Sequence, residues 1–192
     1  MKTILLSFVL LISMSTLTHA QISKRFGIVG GLHSASIRST GLDSKFGFHI
    51  GGVAELAIND NVLIRPQLLY STKGASVSAG GLTYSINLSY IEIPIHAVYK
   101  AEVGTGKLFG GLGPYIGILA GARDSDGDEV DGLKTVDAGL SLLGGYELTE
   151  QKISVNLFYN TGFTNIATNA PRTGSSNTNS TFGLSVAYFF GE

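Results

Sequence analysis

The sequence predicts an all-β fold: an eight-stranded antiparallel up-and-down transmembrane β-barrel of the small outer-membrane type. Three observations predict it. Apolar residues recur with a period of two in segment after segment, the spacing of strands whose alternate side chains face opposite sides. Charged residues are 14% of the 192-residue chain and mean hydropathy is +0.27, yet beyond residue 20 no apolar run approaches the ~20 residues of a membrane-spanning helix. Short and long connections alternate, as in a barrel with turns at one end and loops at the other.

Residues 1–20 read as a signal peptide. Lys2 gives the positive start, Ile4 to Ile12 the apolar stretch, and Thr18-His19-Ala20 the small residues before a cleavage point at Gln21. Residues 21–192 are then the barrel domain. The chain has no cysteine, so no disulfide framework supports it and the sheet itself must hold it together. Its 26 glycines, about twice the usual ~7% share, relieve crowding in a narrow interior and let strands coil. A net charge of −1 gives no basic footprint for nucleic acid.

The first strand covers about Arg25 to Ile37, with Phe26, Ile28 and Leu32 on one face and Gly27, Val29, Gly31 and His33 on the other. The second and third form the clearest hairpin, between Phe46 and Ser71. Phe46, Phe48, Ile50, Ala54, Leu56 and Ile58 alternate with Gly47, His49, Gly51, Val53, Glu55 and Ala57; after Asn59-Asp60-Asn61, Val62, Ile64, Pro66, Leu68 and Tyr70 alternate with Leu63, Arg65, Gln67 and Leu69. The fourth, about Asn87 to Lys100, sets Ile91, Ile93, Ile95, Ala97 and Tyr99 against Tyr90, Glu92, Pro94, His96 and Val98. The fifth, Lys107 to Ala122, is glycine-rich, with Leu108, Leu112, Ile116 and Ile118 outward.

The sixth, Thr135 to Leu148, sets Val136, Ala138, Leu140 and Leu142 against Asp137, Gly139, Ser141 and Glu147. The seventh, Ile153 to Ile166, places Val155, Leu157 and Tyr159 outward and Ser154, Asn156, Phe158 and Asn160 inward. The eighth is Phe182 to Phe190, with Leu184, Val186 and Tyr188 outward against Gly183, Ser185 and Ala187. Residues 59–61, 101–106 and 149–152 are the short turns; 34–45, 74–86, 123–134 and 167–179 are the long polar loops. Aromatic residues near strand ends (Phe26, Tyr70, Tyr99, Tyr146, Phe163, Tyr188) are placed for interfacial girdles.

A soluble eight-stranded barrel inverts the pattern, with apolar residues inside. Size decides against it. The mixed face is full of Gly, Ser, Ala and Asn, which fit a narrow interior, whereas the continuous Ile, Leu, Val and Phe of the other face would overfill it.

Four segments carry a family resemblance: 26–32 (FGIVGGL), 65–74 (RPQLLYSTKG), 90–95 (YIEIPI) and 111–117 (GLGPYIG). In order and spacing they resemble the PorT-like outer-membrane β-barrel proteins of Bacteroidetes. The resemblance implies an eight-stranded outer-membrane barrel. It implies no single activity; the founding member is associated with protein secretion across the outer membrane.

Among residues able to carry chemistry, Glu55 and Arg65 come first. Both positions sum to 120, as do Leu56 with Ile64, so the hairpin sets the two opposite each other inside the barrel as a structural lumen pair. Glu92 and His96 share the inner face of the fourth strand as lumen polar groups; with Ser141 or Ser154 they make the ingredients of a Ser-His-acid hydrolase, which needs hydrogen-bond contact between its members. His33 and His49 lack the accompanying carboxylate or cysteine of a metal set.

Asp124, Asp126, Asp128 and Asp131 make a weak calcium candidate. Alternate aspartates open a calcium loop, but here glycine precedes the third aspartate and Thr135 stands where the bidentate glutamate belongs. Gly104-Thr105-Gly106-Lys107 lacks the upstream glycine of a phosphate loop, and 173–180 is a Ser/Asn-rich loop. The expectation is a non-catalytic structural or interaction barrel without cofactor, monomeric in outer-membrane lipid, meeting a protein or surface glycan through its loops. A secretion accessory, a narrow channel and a lipid-modifying enzyme are the alternatives.

Overall fold

The computed structural model describes residues 23–38, 43–79, 82–130, 132–165 and 177–190. The signal-peptide residues 1–20, Asp131, Ile166 and most of the loop expected at 167–179 lie outside the described residues. Eight strands follow in order: β1 (Lys24–Arg38), β2 (Asp43–Ala57), β3 (Val62–Ala79), β4 (Leu82–Val103), β5 (Gly106–Arg123), β6 (Val136–Leu148), β7 (Ile153–Gly162) and β8 (Thr178–Phe190). Each pairs antiparallel with its neighbours, and β1 closes on β8, for example through Gly30↔Val186. The wall is a closed eight-stranded barrel.

Facing follows the period of two. Val29, His33, His49, Glu55, Arg65, Tyr90, Glu92, His96, Asp137, Glu147 and Phe189 are all buried inside, while Ile28, Leu32, Ile50, Leu68, Ile93, Ile95, Leu112, Leu157 and Leu184 are exposed outside. The glycine-rich β5 keeps this order, with Leu108, Leu112, Ile116 and Ile118 outward and Phe109 and Tyr115 inward. Outward aromatic residues form two bands. Phe26, Tyr99, Tyr188 and Phe190 ring the turn end; Phe46, Phe48, Tyr70, Phe163 and Phe182 ring the loop end. From Phe182 to Phe190, eight residues at ~3.4 Å along a strand tilted ~40° rise about 21 Å. That matches the height of an apolar band between interfacial girdles.

The turn end is tightly finished. Asn59 Oδ1 accepts from the backbone N–H of Asn61 and Val62, closing the β2–β3 turn. Gly104 and Thr105 alone join β4 to β5, with Gly104 at φ +64°, the left-handed first corner that a two-residue hairpin gives to glycine. Tyr146 lies over Gly106, where a Cβ would come within 2.7 Å of its ring, and its hydroxyl donates to the Val103 carbonyl at 2.7 Å.

The loop end departs from expectation in four places. The loop expected at 34–45 is shorter, because β1 runs to Arg38 and β2 starts at Asp43. Residues 74–86 are not a long loop: β3 and β4 stay paired through Gly74↔Asn87 out to Ala79↔Leu82. Glycine and serine mark the segment as irregular by composition, but the backbone register runs on unbroken through Val77↔Tyr84 and Ser78↔Thr83. β7 ends at Gly162 rather than Ile166, with Phe163 N donating once more to Ala138 O. β8 starts four residues earlier than expected, at Thr178, because β1 pairs with it up to Arg38↔Thr178. Bulges bend β2 between Ser44 and His49 and β5 opposite Ser89 and Tyr90.

Candidate functional site in the barrel lumen

The interior is organised by height. Nearest the turn end, three cations meet two carboxylates. Arg65 Nη2 lies 2.5 Å from Glu55 Oε1, Arg25 lies 2.5 Å from Glu55 and 2.7 Å from Glu147, and Lys100 Nζ lies 2.9 Å from Glu55 and also pairs with Glu147. These residues come from β1, β2, β3, β4 and β6, so the cluster ties five strands together. The surplus positive charge rests on aromatic faces: Arg65 lies 4.4 Å from the Phe109 ring centroid and Arg25 4.6 Å from that of Phe189. Below it the mouth holds a cavity of about 380 Å³ bordered by Arg25, Glu55, Asp60, Lys100 and Glu147.

The middle is neutral and histidine-rich. His33 Nδ1 and His49 Nδ1 are 3.3 Å apart; His33 Nε2 donates to the Thr72 carbonyl at 2.7 Å, and His49 Nε2 meets Ser185 Oγ at 2.9 Å. A carbonyl only accepts, so His33 keeps a lone pair on Nδ1 for the proton of His49 Nδ1. Both imidazoles are thereby satisfied without a metal. A cavity of about 30 Å³ sits beside them, bordered by Gln67, Leu69, Pro94, His96, Ser141 and Phe158, room for a single water.

Towards the loop end the charge balance reverses. Lys73 lies 2.5 Å from Glu92 and 3.8 Å from Asp137, between the rings of Tyr90 and Tyr115 at 5.2 and 5.1 Å. Asp137 also accepts from Asn179 Nδ2 at 2.8 Å and Tyr115 Oη at 3.2 Å. One cation here faces two carboxylates.

The structure brings Glu55 and Arg65 together but separates Glu92 from His96. His96 Nε2 is 2.8 Å from Ser141 Oγ, and Ser141 donates its proton to Asn160 Oδ1 at 2.6 Å. The imidazole therefore donates Nε2–H to the serine instead of accepting its proton, and Glu92 is held by Lys73. A triad needs the opposite polarity. In the acidic loop, Asp124 Oδ1 accepts from the backbone N–H of Asp126 and of Asp128, each at 3.0 Å. Among the described residues no three His, Asp or Glu side chains converge as metal ligands. Sequence reasoning missed Arg25, Lys73 and Lys100 as lumen cations; their inward parity near strand ends was the available signal.

A closed barrel with an apolar outside and an ion-paired inside is a small transmembrane β-barrel. The chain belongs to the family described as outer membrane protein beta-barrel domain, whose model matches residues 18–168. No curated protein matches it. Among solved structures, Neisserial surface protein A is similar at 16% identity and TM-score 0.53, over 87% of this chain and 97% of that one. Ail, the attachment invasion locus protein of Yersinia pestis, is similar at 14% identity and TM-score 0.50, over 88% of this chain and 100% of that one. At these identities the likeness is one of fold. The chain is an outer-membrane β-barrel protein; the turn end is periplasmic and the loop end external by the usual asymmetry of such barrels.

Proposed function

We propose that this barrel acts through its external end, as a non-catalytic platform that contacts a protein or surface glycan. The observation that carries the reading is the β3–β4 hairpin. Among the described residues its ladder runs to Ala79↔Leu82, whereas the pairing of β2 with β3 reaches Asp43↔Ser76 and that of β5 with β4 reaches Asn87↔Arg123. The hairpin thus stands beyond its neighbours, braced by Ser125 Oγ, which accepts from Ser85 N at 2.7 Å. The lumen supports the same reading, because ion pairs at two heights fill it and disfavour conduction. Ser141's proton, turned to Asn160, disfavours hydrolysis.

On this reading residues 1–20 direct export and are removed, and the mature chain sits as a monomer in outer-membrane lipid. The four PorT-like segments favour a second, narrower reading, an accessory role in protein secretion across the outer membrane. One complementation experiment tests the platform. A deletion strain receives either the wild-type chain or one in which residues 77–84 are replaced by Asn-Gly, at matched outer-membrane levels. The trimmed barrel is expected to reproduce the deletion's change in secreted proteins or surface glycans, read by mass spectrometry. Full rescue by the trimmed barrel overturns the platform reading, as do steady ohmic steps from the wild type in planar bilayers.

A further inference from the structure

Three of the chain's four prolines, Pro66, Pro94 and Pro114, lie on the neighbouring strands β3, β4 and β5. Each puts a ring nitrogen where a ladder needs an N–H. Pro66 faces β2, and pairing there passes from Val53↔Gln67 to Leu56↔Ile64. Pro94 faces β3, where it passes from Pro66↔Ile95 to Leu69↔Glu92. Pro114 faces β4, where it passes from Pro94↔Tyr115 to Ala97↔Leu112. By these registers the carbonyls of Ala54, Gln67 and Ile95 lose their donors. The other five interfaces keep continuous pairing over the whole of their ladders.

A closed barrel has no edge on which proline is free of cost, and a bilayer offers no substitute donors. Three breaks on three adjacent interfaces at mid-height form one seam. Behind it lies the mid-lumen cavity, and Gln67, Pro94 and His96 border both. From either mouth that cavity is screened by ion pairs, Arg65–Glu55 on one side and Lys73–Glu92 on the other. From the side it is screened by the part of the wall with the fewest bonds to break. Leu69, Leu143 and Phe158 line it together with the polar His49, Ser141 and Asn160.

We infer that the wall opens along the Pro66–Pro94–Pro114 seam, a lateral portal that exposes the lining of the one-water mid-lumen cavity to the bilayer. This goes beyond the platform reading and does not depend on it. The chain has no cysteine, so Ser141→Cys places a single thiol in the cavity, at a position 2% exposed in the closed wall.

In reconstituted vesicles, that thiol is treated with an uncharged N-alkyl maleimide that dissolves in the bilayer and with a sulfonated maleimide that does not. The lipophilic reagent is expected to label at least tenfold faster. Restoring two donors with Pro94→Val and Pro114→Val is expected to slow it at least tenfold, leaving the rate at a Glu150→Cys turn control unchanged. Equal rates for the two reagents, or a lipophilic rate indifferent to the restored donors, overturn the portal. If the double variant does not fold, Pro114→Val alone, at an outward position, is read by hydrogen exchange. Slower exchange of the backbone amides of Ile95 to Ala97 supports the portal, and unchanged exchange overturns it.

Discussion

Arg65 and Glu55 face each other across the β2–β3 hairpin, guanidinium to carboxylate at 2.5 Å, with 2% and 3% of their side chains exposed. They are not an isolated pair. Glu55 also takes Arg25 and Lys100, so it serves three cations while Arg65 serves one carboxylate.

That asymmetry predicts unequal losses. Removing Glu55 leaves three cations against Glu147 alone, and Glu55→Ala is expected to cost about 3–5 kcal/mol, the range for stranding buried charge. Arg65→Ala instead leaves two cations with two carboxylates and forfeits chiefly the stacking on Phe109, so less than half that loss is expected. The double variant restores the native surplus of one positive charge and should fall between them. Urea titrations of the refolded barrel in detergent measure all three; an Arg65→Ala loss equal to that of Glu55→Ala would sink the account.

The histidine pair predicts which glycines are indispensable. A Cβ at Gly31 would come within 2.1 Å of the Leu184 carbonyl and 2.6 Å of His49 Cε1, and one at Gly183 within 2.5 Å of His33 Cβ. Gly31→Ala and Gly183→Ala are expected to destabilise by about 1–3 kcal/mol, the cost of overpacking. Gly52 meets nothing nearer than 4.0 Å, and Gly52→Ala should stay within about 0.5 kcal/mol. Thermal unfolding followed by the gel shift of the folded barrel separates these outcomes.

Much of this was legible because strand parity is local. Ile50 and His49 differ by one position, and alternation alone sends one out and the other in. Glu55 and Arg65 were legible as a pair because a three-residue turn fixes their register. Arg25 and Glu147 were not, being 122 residues apart and joined across the lumen. Alternation gives a residue's face but not its height, which strand tilt and stagger set when the sheet closes. The β3–β4 hairpin was hidden for a different reason. Gly74, Gly80 and Gly81 mark a loop by composition, and only pairing across the ladder outweighs them.

Lys73 is the lone cation among Glu92 and Asp137, so its removal should be costly and repairable. Lys73→Met strands two buried carboxylates and is expected to lose about 3–5 kcal/mol. Adding Glu92→Gln leaves only Asp137 charged, still hydrogen-bonded by Asn179 and Tyr115. The double variant should therefore be more stable than Lys73→Met alone, by about 1–3 kcal/mol. Additive losses in the same urea titration would show that Lys73 does not hold this pair of acids.

Asp124 spends its carboxylate on its own loop. Oδ1 receives the N–H of Asp126 and Asp128, and Asp124 N returns a bond to Asp128 O at 3.0 Å. An aspartate that caps following amides in this way shapes a turn. Asp124→Ala is expected to speed exchange of those two amides about fivefold, as losing a bond worth about 1 kcal/mol predicts. Asp124→Asn should preserve them, since an amide oxygen accepts as well as a carboxylate oxygen. Calcium ligation makes the opposite demand, because it needs the charge. Millimolar calcium should thus give no heat on titration and leave both amides unchanged. If calcium slows their exchange in the wild type and Asp124→Asn abolishes the slowing, the carboxylate serves a metal and the turn is secondary.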